Sequence, residues 1–354
     1  MTLPATPPLD PEETLGLERA ENAIELKEIE GLSQGRIVFN RFVRHKGAMI
    51  ALALLTLVAI LAFSAEGFSP FGLHIPGWWK YNYADINPIV NGTHPTLSLW
   101  PFHLGDHPFG QDEIGHDMFA EVMRGAQQSI KIIFVVGLVS TAIGSVIGAV
   151  AGYYGGFIDG LLMRLTDLFI IVPQLVLAAV IGHYAGGGAM TLALLLGLLY
   201  WMSLARLVRG EVLALRSREF VEAAKVAGAS DLRIMFKHIL PNAAGVIIVS
   251  MTLTMAAAIL LETSLSYLGL GVQSPDVSLG QLMNLYVTAF GTRPWLFWWT
   301  GIFIVIIALT VNFIGDGLRD AYDPRQRRLM NRKAKVAKAA GRPLPSGTTS
   351  VEGQ

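Results

Sequence analysis

Long apolar runs separated by polar stretches dominate this chain. The first covers 47–65, and nineteen residues at about 1.5 Å each reach roughly 28 Å, enough to cross a bilayer core. Further runs lie at about 129–152, 162–185, 189–208, 243–268 and 295–315. In lipid every backbone polar group needs a partner within the protein, and these runs are too long for barrel strands. The pattern therefore predicts an all-α membrane protein with six spanning helices.

Composition agrees: of 354 residues, 52% are hydrophobic and 15% charged, against about 25% charged in a soluble domain. Net charge is zero, so the distribution of charge carries the information. Arg36, Arg41, Arg44 and Lys46 precede the first span. Arg206, Arg209, Arg216, Arg218, Lys225, Arg233 and Lys237 surround the connection between spans four and five, and Arg319, Arg325, Arg327, Arg328, Arg332 and Lys333 follow the sixth. Basic residues stay inside, so both termini and the 209–242 loop are expected in the cytoplasm. Trp78, Trp79, Trp295, Trp298 and Trp299 fall near the outer boundary, where amphipathic rings favour the headgroup layer.

The chain then divides into a cytoplasmic tail and interfacial lead-in over 1–46, the first span over 47–65 and an outer segment over 66–128. A transmembrane core with its loop follows over 129–318, and a basic cytoplasmic tail over 319–354. The acidic start is expected to be a solvated tail with a short helix over 11–30, and no secretory signal peptide is expected ahead of the first span. The outer segment should end in an interfacial helix over 112–128. No cysteine is present, which excludes disulfides, thiolate metal sites and a cysteine nucleophile.

Several intraspan residues invite a chemical reading, because ionisable groups in lipid are costly. Asp167 and Arg164 are three apart and can pair. Glu262, near Ser264 and Ser266, is a candidate for the pathway or an outer gate, or else for hydrogen bonding inside the bundle. Pro173 should bend span three and turn Gln174 towards a cavity. Asp167, Glu262 and Gln174 are the candidate pathway residues. Gly144, Gly148 and Gly152 are spaced four apart and form one stripe that lets another helix approach closely, within the bundle or from a second subunit.

The 209–242 loop is the most specific stretch. Ser217 can cap a helix running to Ala227, and Gly228 suits the left-handed position that ends it. Ser230 can cap a second short helix over 231–238, and Pro241 marks the start of span five. Ala223, Ala224 and Ala227 give a thin side with Glu222 and Lys225 beside it, the chemistry of a helix that lies in a partner's groove. A solvated loop helix without a partner is the plainer alternative. Tethering between two spans argues against DNA as the partner.

Glu222-Ala223-Ala224-x3-Gly228-x9-His238-Ile239-Leu240-Pro241 resembles the EAA loop of binding-protein-dependent ABC importer permeases. His238-Ile239-Leu240-Pro241-Asn242 is similar to the dipeptide/oligopeptide branch, as is the segment His107-Pro108-Phe109-Gly110-Gln111-Asp112-Glu113-Ile114-Gly115-His116-Asp117, with Gln111 and His116 as departures. Tyr267-Leu268-Gly269-Leu270-Gly271 and the stretch from Asn312 to Arg325 resemble that branch too. The resemblance covers about 107–325 and implies the C-type permease subunit of a peptide importer, with the type I importer fold. It implies that Glu222, Ala223, Ala224, Gly228, Leu240 and Pro241 form the ATPase-coupling element. It also implies a second homologous permease subunit, two ATP-binding subunits and an extracytoplasmic peptide-binding protein, in the bacterial inner membrane.

No Gly-x4-Gly-Lys-Ser/Thr occurs, so no phosphate cradle is expected here, and ATP and Mg are expected on the partner chains. This chain is then a transport subunit and not an enzyme, without a cofactor of its own. Histidines 74, 94, 103, 107 and 116 keep a nickel importer open as an alternative, although their spacing matches no compact metal motif. A proton-coupled secondary transporter using Asp167 and Glu262 is a different class, which predicts uptake by this chain alone. An intramembrane enzyme ranks last, since no His-Glu-x2-His is present.

Overall fold

The computed structural model describes residues 34–68, 75–184 and 186–322. The expected tail helix over 11–30, His74 and the basic end from 323 onward lie outside them.

Helix α1 spans Gln34–Arg44 and meets α2, Lys46–Glu66, at His45. The His45 Nδ1 accepts from the Ala48 amide at 3.0 Å, a side-chain cap for the first turn of α2. Two short antiparallel pairs follow: β1, Gly67–Phe68, with β2, Ile75–Pro76, and β3, Ser98–Leu99, with β4, Phe102–His103. The remaining helices are α3, Met118–Tyr154; α4, Gly156–Ile171; α5, Gln174–Tyr184; α6, Ala189–Leu215; and α7, Glu219–Val226. After them come α8, Asp231–Arg233, a π turn over Ile234–Ile239, α9, Leu240–Tyr267, α10, Leu279–Tyr286, and α11, Pro294–Tyr322.

Among the described residues, five helices are long and apolar enough to cross a membrane, and the bent pair α4–α5 makes a sixth when read as one span. The bend is 82° and falls at Pro173, which lacks the amide a continuous helix needs. The expected bend is thus present.

The segment ahead of span two differs from expectation. The helix expected over 112–128, leading into span two, is present but begins at Met118. Asp112 Oδ1 accepts from the amides of Ile114, Gly115 and His116, a turn that competes with helix. The helix starts at Met118, where the Asp117 carboxylate caps the Ala120 amide at 3.0 Å, and runs unbroken to Tyr154. Its 37 residues span about 55 Å at 1.5 Å per residue.

Helix α3 is the centre of the bundle, with α6, α9 and α2 around it. The glycine stripe faces α6 of the same chain. A Cβ at Gly148 would stand 2.5 Å from the Ala205 carbonyl oxygen, and one at Gly152 2.8 Å from that of Arg209. The small residues therefore serve close packing inside this subunit. Gly137 lies on a different side, against Met255 of α9.

The core has two main parts. A large cluster holds Met118, Met123, Ile133, Leu196, Ile259 and Leu265. A smaller one at the loop end holds Ala149, Val208, Val212, Val221, Ile234 and Ile239. Helix α11 closes against α1 and α2: a Cβ at Gly317 would clash with the Ala48 side chain, and Arg41 Nη1 donates to the Ala321 carbonyl at 3.3 Å. The Asn312–Tyr322 part of the terminal motif is thus a packing seam.

Candidate functional site: the polar loop and the opposite cap

Helix α7 sits on the smaller cluster and turns its other side outward. Val221 is buried and Ala224 packs half-buried against the same cluster. Glu222, Ala223, Val226 and Ala227 are exposed, Val226 to 90%. The thin outward side therefore consists of Ala223 and Ala227 with Val226 between them. Ala224, expected on that side, belongs to the inner one. Val226 escaped the sequence reading because its role depends on which way the helix is rolled.

The start of α7 differs from expectation. Ser217 does not cap it: its hydroxyl donates back to the Ala214 carbonyl at 3.4 Å, and Arg218 occupies the N-cap without a side-chain bond. The end agrees. Gly228 has φ +78°, its amide donates to the Lys225 carbonyl at 2.9 Å, and the Ala229 amide donates to that of Ala224 at 3.0 Å. These two bonds make the Schellman termination that favours glycine. Nothing lies within 4 Å of a Cβ built on Gly228, so the requirement is purely conformational. The Tyr267-Leu268-Gly269-Leu270 stretch ends α9 the same way, with Gly269 at φ +74° and the Leu270 amide on the Leu265 carbonyl.

The second loop helix is not separate. Ser230 makes no side-chain cap, and Asp231–Tyr267 forms one continuous helical rod through the π turn. Pro241 explains the turn: it brings no amide, and its ring disfavours the carbonyl four residues back. The Leu240 amide reaches the Met235 carbonyl instead, and Asn242 Nδ2 donates to His238 O at 2.6 Å. Leu240 packs on the small cluster and Pro241 is exposed. Ala224, Ala227, Gly228, Arg233, Lys237 and His238 line a shallow recess of about 330 Å³ beside the helix end.

Basic residues fix the floor of this site. Arg209 grips Asp159 of α4 with two nitrogens, and Arg216 Nη1 donates to the carbonyls of Gly152 and Tyr153 at 3.1 and 3.2 Å, satisfying the end of α3. Asp167 pairs with Arg206 of α6 and not with Arg164. A partner one helix away needs no shared helical face, which is why spacing alone misassigned it.

Of the other intraspan candidates, Glu262 is fully buried, taking hydrogen bonds from Ser266 at 2.9 Å and from Ser129 of α3 at 3.3 Å. Gln174 is exposed at the bend, with its amide 3.5 Å from the Leu199 carbonyl. The structure does not bring Asp167, Glu262 and Gln174 together into one cluster of contacts.

The opposite end carries a polar cap built on the start of α3. Asp117, also its helix cap, accepts from Trp79 Nε1 at 2.7 Å and lies 2.8 Å from His107 Nδ1. Burial pushes the Asp117 carboxyl above the usual carboxylate range, with these hydrogen bonds pulling against it. Phe109 stacks on Trp299 at 4.0 Å. The two departures from the family pattern both have partners: Gln111 takes the Val90 amide at 2.9 Å and donates to the Pro88 carbonyl at 3.1 Å, and His116 Nδ1 lies 2.8 Å from Asp112. A cavity of about 570 Å³ opens beside them, lined in part by Asp112, Glu121, Asp276 and Tyr286. The Tyr286 hydroxyl donates to Glu121 at 2.6 Å, and burial together with that carboxylate raises its pKa, so it stays protonated.

An apolar multi-span bundle with a helix displayed on a polar loop defines an integral membrane protein. The comparisons give the particular family. Residues 144–328 match the family described as binding-protein-dependent transport system inner membrane component, and 33–91 match the N-terminal TM domain of oligopeptide transport permease C. The oligopeptide transport system permease protein OppC of Mycobacterium bovis is 37% identical over 299 residues, 84% of this chain and 97% of that protein. OppC of Bacillus subtilis is 35% identical over 311 residues, 87% and 96% of the two chains. A methionine ABC transporter solved in inward-facing conformations aligns with a TM-score of 0.44 at 20% identity, over 58% of this chain and 98% of that one. The chain belongs to the binding-protein-dependent transport inner membrane component family and is a multi-pass membrane protein.

Proposed function

We infer that this chain is a permease subunit of an ATP-driven peptide importer and forms half of its translocation pathway. The observation that carries the reading is the exposed side of α7, with Glu222, Ala223, Val226 and Ala227 held outward on a buried anchor. Val226, 90% exposed beside Ala223 and Ala227, gives α7 a small apolar side of the kind that fits a partner's groove. The peptide cargo is supported by the relatives' names, oligopeptide permeases at 35–37% identity over most of the chain.

In this reading the loop end is cytoplasmic, as are both termini, and the Asp117 cap faces outward. Two ATP-binding subunits hydrolyse Mg-ATP on their own chains, and α7 receives their movement. A second homologous permease completes the pathway, and an extracytoplasmic peptide-binding protein delivers the cargo. Gln174, exposed at the bend, is the pathway candidate of choice. Asp167 and Glu262 serve helix packing through Arg206 and through Ser129 and Ser266.

The test is reconstitution in vesicles with and without the partner chains. Labelled oligopeptide should accumulate only in the full assembly and only with ATP. Accumulation by this chain alone, without nucleotide, would overturn the reading. Nickel uptake in place of peptide uptake would overturn the cargo.

A further inference from the structure

Helix α7 is anchored to more than the two spans it connects. The Tyr153 hydroxyl, one residue from the end of α3, donates to Asp231 Oδ1 at 2.7 Å. The Lys225 ammonium stands 5.6 Å from the centre of the same tyrosine ring. Lys225 lies on α7 and Asp231 starts the rod that becomes α9, so one side chain holds both arms of the loop. The ring also packs on the buried cluster with Val221 and Ile234, the anchors of those arms. Arg216 fixes the tyrosine from behind, through the backbone carbonyls of Gly152 and Tyr153.

At its other end α3 carries the polar cap. Asp117 joins His107 and Trp79, Glu121 joins Tyr286, and Arg124 and Gln128 both bond Asp276, at 3.0 and 2.6 Å. Between the two ends the helix contains no proline; its glycines at 144, 148 and 152 are locked against α6, Gly125 lies against Ser278 and Leu279, and Gly137 against Met255. A helix without a hinge moves as a rod.

The geometry points to Tyr153 as a positioning residue that clamps both arms of the loop to the inner end of α3, so that this one helix carries loop movement across the membrane to the cap. The inference rests on the importer reading for the source of that movement, while the clamp itself is a property of the chain. It assigns to α3 a transmitting role that the loop's own connections would give to α6 and α9 alone.

The experiment uses the full-length chain assembled with its partners in lipid nanodiscs. Tyr153→Phe keeps the ring over Lys225 and removes only the bond to Asp231. Amide exchange over 219–239 should then rise about fivefold, the factor of a single hydrogen bond. Unchanged exchange overturns the clamp whether or not the assembly imports peptide. A wild-type assembly that hydrolyses ATP without taking up peptide overturns the importer reading and leaves the exchange result standing.

The second measurement, made on the same assembly reconstituted in sealed vesicles, is ATP consumed per peptide accumulated. It should rise in Tyr153→Phe with the peptide KM unchanged. Asp231→Asn, whose amide oxygen still accepts, should remain near wild type, and Asp231→Leu should match Tyr153→Phe. The double variant should be no worse than either single one, as for two halves of one contact. Additive losses, or hydrolysis and uptake falling in parallel, would show that the tyrosine serves assembly only and overturn the transmitting role.

Discussion

At the scale of single residues, the clearest requirement is the left-handed turn at Gly228. With open space around it, the cost of any side chain there comes from φ alone. Gly228→Val should cost about 1–2 kcal/mol of local stability and reduce both uptake and stimulated ATP hydrolysis, while Gly228→Asn, which tolerates this conformation, should keep most of each. If valine were as good as asparagine in that transport assay, the turn would not matter to coupling. Gln111 gives a second case. It is fully buried and serves the Val90 amide and the Pro88 carbonyl. Gln111→Ala should destabilise the cap by about 1–3 kcal/mol, read as a lower midpoint of thermal unfolding in detergent. Gly228 was legible in the sequence because its conformation is set by its immediate neighbours. Ser217 and Asp167 were not, because a hydroxyl has several carbonyls within reach and a carboxylate in a bundle pairs with whatever helix lies alongside.

At the scale of elements, the glycine stripe and the proline define how helices meet and break. Gly148 touches the Ala205 carbonyl so closely that a side chain must push α3 and α6 apart. Gly148→Ile should cost about 1–3 kcal/mol or more, seen as loss of the folded monomer on size exclusion, whereas Gly160→Ile, with nothing within 4 Å, should be tolerated as far as this subunit's own fold is concerned. Equal effects of the two would sink the intramolecular assignment of the stripe. The spans themselves were readable from apolar length, and the bend from Pro173. The start of the helix expected over 112–128 was misplaced because Asp112 spends its carboxylate on three backbone amides, which keeps 112–116 out of the helix. The loop's second helix was misread because a proline next to a π turn continues a rod that a proline in an ordinary turn would end.

At the scale of the whole molecule, the reading places the α7 loop inside the cell and the β3–β4 hairpin outside. The absence of cysteine makes this directly testable. Val226→Cys should react with an impermeant maleimide only when the inner face is open, and Trp100→Cys, at a 94%-exposed position, only from outside. The reverse pattern would invert the topology and remove the ATPase-docking role of α7. What the sequence determined by itself is the membrane class, the long apolar helices, the glycine turn and the family, because apolar length, local backbone preference and ordered motifs act over a few residues or over independent segments. What only the tertiary structure decided is which side of α7 faces out, that α6 and not a second subunit fills the glycine groove, that Glu262 is sealed in the core, and that Tyr153 joins α3 to the loop. Each of these depends on how helices are rolled and set against one another, and that is fixed by packing between segments far apart in the chain.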